Sequence, residues 1–479
     1  MTSAGIVLIV LTALAFSAAG VVYARRRRPT LDEFITARNS LGVGAAAATL
    51  IASGMGAWIL FSPAEAAVVG GVAAMIGYGL GSAGALLIFV AVGVRLRRLV
   101  PQGHTLTEYV LGRLGKPMYA VVLLTMVFYM AVYLAAELTG IALAAQMTYG
   151  VPLIVTASVI GAGTLAYTAT GGLPASVFTD RLQTWLIIPL LSVVFVAAIA
   201  LTGDARPFAT LAETAPELLS LGNRGGIEYG LTLVIAIIGA ELFNQGNWQR
   251  VYAADSPRTA ARAFLVAGVI VMLVVLAMGV FGLLAVAGGA AEAPSVAMFT
   301  FLIQALPAWV VVITMVLAVA LVMSSMDSLL NGLASLFAVD VARITGGEAD
   351  ARALRWARWI TVALAAGAIA VATRGLSVLY LFLVADLVCV AAAFPTVFGL
   401  YSKRLSGWTA VGATFVGVVA GAMLFPPPDF SRGSLLHAFV VALAVPAIVC
   451  LGLGPFTPQA TVTHPAGTDG ECREPDATP

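Results

Sequence analysis

Of the 479 residues, 61% are apolar and only 10% are charged, and the formal net charge is +2. Repeated apolar runs long enough to cross the roughly 30 Å core of a bilayer indicate a polytopic helical membrane protein rather than a water-soluble one. The small net charge does not indicate nucleic-acid binding, and three scattered cysteines argue against a disulfide framework or a metal cluster. Since the sequence has no zinc motif, nucleophile elbow or phosphate loop, it does not indicate an enzyme.

The first apolar segment, residues 5–24, is followed by four arginines at positions 25–28. A signal peptide carries its charges in front of its apolar stretch, so we expect a retained span with its N-terminus outside. Thirteen spans are predicted in all, the other twelve at 41–66, 67–94, 118–148, 152–171, 182–203, 228–247, 263–289, 304–338, 356–374, 376–401, 406–425 and 434–455. This arrangement puts most Lys and Arg residues in the cytoplasm, as the positive-inside rule predicts.

Two predicted spans are irregular. The second contains Gly54 and Gly56, and the seventh has glycines beside a dense polar cluster that continues to Arg250. Glycines also serve close helix packing, so each break alone is ambiguous. Broken helices at corresponding places of two halves are typical of a transporter site, and the five-span interval here predicts a five-helix inverted repeat.

The predicted ninth span carries one polar stripe. At helical spacing its members are Ser324, Asp327, Ser328, Asn331 and Ser335. A carboxylate inside a membrane costs roughly 2.5–3.5 kcal/mol, so Asp327 must face protein, water or a cation. The serines alone would fit hydrogen bonds between helices. With a carboxylate among them, the hard oxygen donors favour binding of a small hard cation.

Residues 167–183, with the sequence Tyr-Thr-Ala-Thr-Gly-Gly-Leu-Pro-Ala-Ser-Val-Phe-Thr-Asp-Arg-Leu-Gln, resemble the signature of the sodium:solute symporter family. Residues 107–115, 248–254 and 323–340 resemble further family segments in order and spacing. The resemblance extends from about residue 30 to residue 425. It implies an all-α fold of the LeuT type, with about thirteen transmembrane helices, two inverted five-helix repeats and discontinuous helices.

The resemblance also implies a division of the chain. The expected parts are an extra N-terminal span with a cytoplasmic linker at 1–40, a first inverted repeat at 41–203, an extracellular loop at 204–227, a second repeat at 228–405, two C-terminal spans at 406–455, and a disordered cytoplasmic tail at 456–479.

Two cation sites are implied by the same resemblance. The main sodium site would use the carbonyls of Ala52, Met55 and Leu321 and the hydroxyls of Ser324 and Ser325. A second site, for sodium or a proton, would use Asp180, Ser324, Asp327 and Ser328. Asp327 stands where the family usually has a hydroxyl, and we expect it to share one cation with Asp180. The alternative is that Asp327 only holds helices together through Arg181 or Asn331.

The resemblance places the solute beside the two breaks. The candidate solute-binding residues are Trp58, Tyr133, Glu241, Asn244, Gln245 and Asp386, with Tyr129 and Glu137 also within reach. Carboxylates outnumber cations here and no arginine is predicted within a span. A neutral, zwitterionic or cationic solute is therefore favoured over a dicarboxylate.

The expected function is sodium-coupled import of a small polar organic solute, such as urea or an amino acid like proline, through the plasma membrane, with the C-terminus cytoplasmic. The expected partners are the solute, sodium and the lipid bilayer, with no nucleic acid. A proton-coupled permease and a transporter-like membrane sensor are the alternatives. An intramembrane hydrolase built on Ser324, Ser325 and Asp327 is disfavoured because that span has no histidine.

Overall fold

A computed structural model describes residues 2–26, 31–202, 206–344, 351–428 and 432–453. This part of the chain is helical and contains no β-strand, only an isolated bridge between Leu41 and Ala254. The predicted tail 456–479 and arginines 27 and 28 lie outside it.

The α-helices of the described residues are α1 (Thr2–Arg26), α2 (Leu31–Ile35), α3 (Val43–Gly54), α4 (Ser62–Leu99), α5 (Leu106–Tyr149), α6 (Leu153–Thr202), α7 (Arg206–Thr214), α8 (Pro216–Leu219), α9 (Arg224–Glu241), α10 (Gln245–Ala253), α11 (Pro257–Ala287), α12 (Ala297–Ala305), α13 (Ala308–Ile344), α14 (Ala351–Ala372), α15 (Val378–Phe398), α16 (Gly407–Leu424) and α17 (Leu435–Leu453). Two short 3-10 helices, Ala57–Leu60 and Pro294–Val296, precede α4 and α12.

Within the described residues, ten helices are long and apolar enough to cross a membrane, and α9 with α10 forms an eleventh candidate. The first part of α6 and all of α3 are apolar but shorter. The all-α, multi-pass architecture with discontinuous helices is confirmed, while the count of thirteen spans stays a prediction.

The first break lies within the predicted second span, at the two glycines that make that span irregular. Helix α3 ends at Gly54, Met55 has extended backbone, and the 3-10 helix Ala57–Leu60 follows. Helix α4 begins at Ser62 with Pro63 in its first turn, where a missing N–H costs nothing. The glycines therefore end one helix and the proline starts the next.

The second break separates α9 from α10, which are bent by 60° relative to each other. Asn244 caps α10 by accepting a 3.0 Å hydrogen bond from the Gly246 backbone N–H. This cap satisfies a backbone donor that the helix itself cannot. The predicted irregularity of the seventh span is thus a capped interruption.

Within α6, two helical halves correspond to the predicted spans 152–171 and 182–203, and a kink separates them. The kink is at Gly172, whose φ of 57° lies in the left-handed region. A Cβ added there would also lie 2.4 Å from the ring of Phe34. The kink turns the two halves of the signature segment in different directions.

Close backbone contact joins α4 to α9 and α11. A Cβ at Gly77 would lie 2.3 Å from the Cα of Gly230, and one at Gly282 would lie 2.2 Å from the carbonyl oxygen of Ala64. Small residues allow such close approach between membrane helices. On the other side, α13 packs against α5 and α6 and is mostly buried, so its polar stripe faces protein.

Candidate functional site

The first helix break faces a buried carboxylate. Glu137 on α5 accepts a 2.6 Å hydrogen bond from the Ala57 backbone N–H and a 2.8 Å hydrogen bond from the Ser325 hydroxyl, both at Oε2. Its other oxygen, Oε1, is buried and has no hydrogen-bond partner in the described part of the chain. Gly56 makes room for this carboxylate, because a Cβ at that position would lie 2.0 Å from Oε1.

Of the predicted ligands of the main sodium site, Ser325 contacts this carboxylate directly. Ser325 Oγ is 3.2 Å from the Leu321 carbonyl oxygen, so both lie on the part of α13 that faces the break. Ala52 and Met55 are fully buried at the end of α3, where carbonyls lose their intrahelical partners. Ser324 instead donates a 2.5 Å hydrogen bond to Asp180.

Asp180 on α6 is the centre of a second group. Its Oδ2 accepts hydrogen bonds from the Thr49 hydroxyl and, at 3.2 Å, from Nη2 of Arg250. The Arg250 side chain is 1% exposed and that of Asp180 is fully buried, so the two form a buried ion pair.

Asp327 on α13 is surrounded by hydroxyls of the signature segment. It accepts hydrogen bonds from Tyr167 at 2.8 Å, Ser176 at 2.6 Å and Thr179 at 3.0 Å. Tyr167 precedes the Gly172 kink and the other two follow it, so the kink lets one segment reach Asp327 from two sides. Among the described residues, its hydrogen bonds go to hydroxyls and not to Arg181 or Asn331.

Ser328 connects the two carboxylate groups. Its hydroxyl is 3.2 Å from Asp327 Oδ1 and accepts a 2.6 Å hydrogen bond from Arg250. All four residues predicted for the second cation site therefore belong to one hydrogen-bond network. We name this set, with Arg250 and Thr49, the carboxylate network.

The charges of the carboxylate network do not balance when both carboxylates are ionised. Arg250 supplies one positive charge against two negative charges, and no described Lys, Arg or His forms an ion pair with Asp327. An uncompensated charge in a buried site is costly. The network can therefore hold one further cation or a proton.

Arg250 is the functional candidate that the sequence prediction missed. That prediction put this arginine in a cytoplasmic loop, whereas the structure buries it on α10 beside Asp180. The sequence did contain a signal for this burial. Several carboxylates were predicted inside the membrane, and they require a positive charge close to one of the breaks. Position along the chain did not reveal the pair, whose members are 70 residues apart.

A small cavity of about 40 Å³ lies beside both breaks. Its lining comprises Trp58, Tyr78, Tyr129, Tyr133, Leu233, Ile237, Glu241, Leu379, Phe382 and Asp386, and we name it the aromatic cavity. It brings together four of the predicted solute-binding residues, Trp58, Tyr133, Glu241 and Asp386.

The other two predicted solute-binding residues do not line the aromatic cavity. Asn244 donates a 3.1 Å hydrogen bond to Glu241 and thus supports the lining. Gln245 is fully buried and donates to the His104 carbonyl at 2.7 Å. Direct contact of Gln245 with solute stays a prediction.

Long apolar helices, two of them broken, with buried oxygen atoms beside the breaks, are the features of the LeuT-type transporter fold. The family profile that matches residues 34–421 is the sodium:solute symporter family. The chain belongs to this family.

Solved structures support the same fold. A Na⁺-coupled sialic acid symporter in a substrate-bound outward-open state superposes with a TM-score of 0.78 at 16% identity, covering 96% of this chain and 99% of that chain. Mhp1, a nucleobase-cation-symport-1 family transporter in a closed conformation, gives a TM-score of 0.54 at 14% identity, covering 89% and 95%. At these identities the likeness concerns the fold alone.

Characterised relatives are more similar in sequence. The spermidine transporter DUR31 of Candida albicans is 25% identical over 74% of this chain and 66% of its own length. The probable urea active transporter 1 of Schizosaccharomyces pombe is 24% identical over 50% and 38%, and the rice urea-proton symporter DUR3 is 22% identical over 50% and 37%. The chain thus spans less than two thirds of these relatives' length.

Proposed function

We propose that this protein is a sodium-coupled symporter that imports a small polar organic solute by alternating access. The contact of Glu137 with both Ala57 and Ser325 carries the proposal, because it joins the helix break to the serines of α13. Residues 41–203 and 228–405 act as the two inverted repeats. The protein lies in the plasma membrane with its N-terminus outside and its C-terminus in the cytoplasm, in accordance with the positive-inside rule.

Sodium is the coupling ion at the main site. Its ligands are the carbonyls of Ala52, Met55 and Leu321 and the hydroxyls of Ser324 and Ser325. Neutral oxygens replace the hydration shell of the sodium ion without binding it so tightly that it cannot be released. The neighbouring Glu137 carboxylate adds a negative charge that strengthens binding in a poorly hydrated site.

A second cation binds in the carboxylate network. Asp180, Ser324, Asp327 and Ser328 supply the oxygens, and the unbalanced negative charge supplies the driving force. Sodium and a proton both satisfy this requirement. Proton coupling is the second candidate function, favoured by the carboxylate at position 327 and by the relationship to a urea-proton symporter.

The energetic requirement of import is met by the ion gradient. At a membrane potential of about 100 mV, each sodium ion contributes about 2.3 kcal/mol. This free energy supports an accumulation of about fifty-fold per ion. Ser324, Ser325 and Asp327 then act as ion ligands and not as a hydrolytic set.

Uptake into proteoliposomes tests the proposal. The full chain is supplied with labelled urea, proline, spermidine, a sugar and a short carboxylate, under a sodium gradient, a proton gradient or neither. Accumulation driven by sodium supports the proposal, and accumulation driven only by protons supports the second candidate. Accumulation of no solute under either gradient contradicts both.

A pair of serine variants tests the main site. Ser325→Ala should raise the sodium concentration for half-maximal uptake, because it removes a ligand and a partner of Glu137. Ser335→Ala is the control, since its hydroxyl contacts the Gly332 carbonyl of its own helix at 2.9 Å. Equal sodium activation in both variants would contradict the assignment.

A further inference from the structure

If the solute of the proposed function enters the aromatic cavity, the chemistry of the lining selects it by charge. Aromatic rings form much of the wall. Trp58 and Tyr78 are stacked with centroids 5.7 Å apart, and Tyr133 meets Phe382 edge to face at 4.7 Å. Ring faces carry negative charge density and attract cations within about 6 Å of the centroid.

Two carboxylates complete the lining, and their surroundings differ. Glu241 accepts hydrogen bonds from the Tyr129 hydroxyl at 2.9 Å and from the side-chain amides of Asn244 and Asn247 at 3.1 and 2.6 Å. These three donors hold its carboxylate in place without help from a ligand.

Asp386 on α15 lacks such support. Its side chain is 3% exposed, and the buried oxygen Oδ1 has no hydrogen-bond partner among the described residues. A buried acceptor left unpaired costs about 1–3 kcal/mol, and more when it is charged. The cavity lining contains no Lys, Arg or His. A cationic ligand that enters the cavity would supply both a hydrogen-bond donor and a positive charge.

We propose that the aromatic cavity binds the head group of a small organic cation, of the ammonium or guanidinium type, whose N–H donates to Asp386 Oδ1. The cavity is small, which favours a compact head group. The rings hold the charge over their faces, while Asp386 and Glu241 compensate it. A neutral solute such as urea offers N–H donors but leaves two carboxylates without a counter-charge.

Guanidinium and urea form the sharpest test, because they share a planar shape and differ in charge. Binding of each to the purified full chain is measured by thermal stabilisation at increasing ligand concentration, and uptake is measured in proteoliposomes. We expect guanidinium to bind more tightly than urea to the wild type. Asp386→Asn should weaken guanidinium binding by about tenfold to a hundredfold, the effect of losing a charged hydrogen bond, and leave urea binding nearly unchanged.

Two further variants complete the experiment. Phe382→Leu removes one ring and should weaken guanidinium binding by about twofold to thirtyfold, the range of cation–π interactions, without affecting urea. Glu65→Gln is the control, since Glu65 is a buried carboxylate outside the cavity that contacts Ser377 at 3.1 Å. If Asp386→Asn does not fold, Phe382→Leu and the selectivity of the wild type still show whether the cavity prefers a cation.

The outcomes separate this inference from the proposed function. Tighter binding of urea than guanidinium by the wild type, or equal loss of both in Asp386→Asn, would overturn the inference. Ion-driven uptake of urea or proline without uptake of any organic cation would also overturn the inference but would leave the proposed function intact. Guanidinium binding that depends on Asp386, in a protein that accumulates no solute under any gradient, would refute symport and support the inference.

Discussion

The Ser325 hydroxyl on α13 donates a 2.8 Å hydrogen bond to Glu137 on α5, and the same carboxylate oxygen accepts the Ala57 N–H at the helix break. One carboxylate therefore joins three segments of the chain. Its second oxygen has no hydrogen-bond partner from the residues that the structure describes. Glu137 thus either contributes its charge to cation binding or only caps the broken helix. A substitution that removes the charge but keeps the shape distinguishes these two roles.

Glu137→Gln separates them, because glutamine keeps the shape and an acceptor oxygen but removes the charge. We expect the sodium concentration for half-maximal uptake to rise about tenfold, as the loss of a charged interaction worth about 1.4 kcal/mol would produce. Sodium-dependent uptake and thermal stability are measured together, with Glu65→Gln as the control. Lower thermal stability with an unchanged sodium constant would show that Glu137 is only a cap.

Asp327→Asn tests the occupant of the carboxylate network. Its four hydroxyl partners, Tyr167, Ser176, Thr179 and Ser328, remain, but one negative charge is lost. If the wild type carries a proton here, transport should depend on pH between roughly 5 and 8, and the variant should flatten that dependence.

Reversal potentials at varied sodium and pH give the coupling stoichiometry, with Asp255→Asn as an exposed-carboxylate control. If the wild type binds sodium here, the variant should lose one sodium per cycle. Identical stoichiometry and pH dependence in wild type and Asp327→Asn would make Asp327 a structural residue.

Arg250→Leu should destabilise the protein by about 3–5 kcal/mol, because it leaves Asp180 buried without its partner. The double variant Arg250→Leu with Asp180→Asn should recover much of this loss. Unfolding in a denaturing detergent gives the free energies. Arg224→Leu is the control, since its ion pair with Glu228 is exposed, with side-chain exposures of 92% and 44%, and should contribute about 0–1 kcal/mol. A double variant as unstable as Arg250→Leu alone would contradict the pairing.

Gly172→Ala should lower stability by at least about 1 kcal/mol and distort the approach of the signature segment to Asp327. Both the left-handed backbone and the contact with Phe34 require glycine there. Gly367→Ala on α14 is the matched control, because a Cβ there meets nothing within 4 Å. Comparable melting temperatures for the two variants would show that the kink tolerates a side chain.

The sequence predicted the elements whose signals are local. Hydropathy predicted the membrane helices, and glycines at 54 and 56 predicted the first break. The spacing of the polar residues in α13 predicted a buried polar face, because the repeat of an α-helix determines which residues lie on the same face. The predicted boundary between residues 66 and 67 lies close to Gly71, where a φ of 64° interrupts α4.

Local sequence signals did not predict the contacts between distant segments. Arg250 is polar and adjacent to a predicted loop, so its own neighbourhood gave no reason to bury it. Glu137 lies in a span whose neighbours are apolar, and the sequence put it within reach of the solute without showing its contact with Ser325. Both contacts depend on helix packing, which brings segments 70 or more residues apart within hydrogen-bond distance.

The close backbone packing of α4 against α9 and α11 has a mechanical consequence. Helices that touch at Gly77 and Gly230 cannot slide past each other without losing contact, so the three form a rigid body to which α3 is also packed. The proposed main sodium site spans the border of this body, with Ala52 of α3 on one side and Ser325 of α13 on the other, and the hydrogen bond from Thr49 of α3 to Asp180 of α6 crosses the same border. In the proposed transport cycle, a bound cation ties the two sides together through shared oxygen ligands, and its departure removes that connection. Ion occupancy would thereby set when the rigid body can rock.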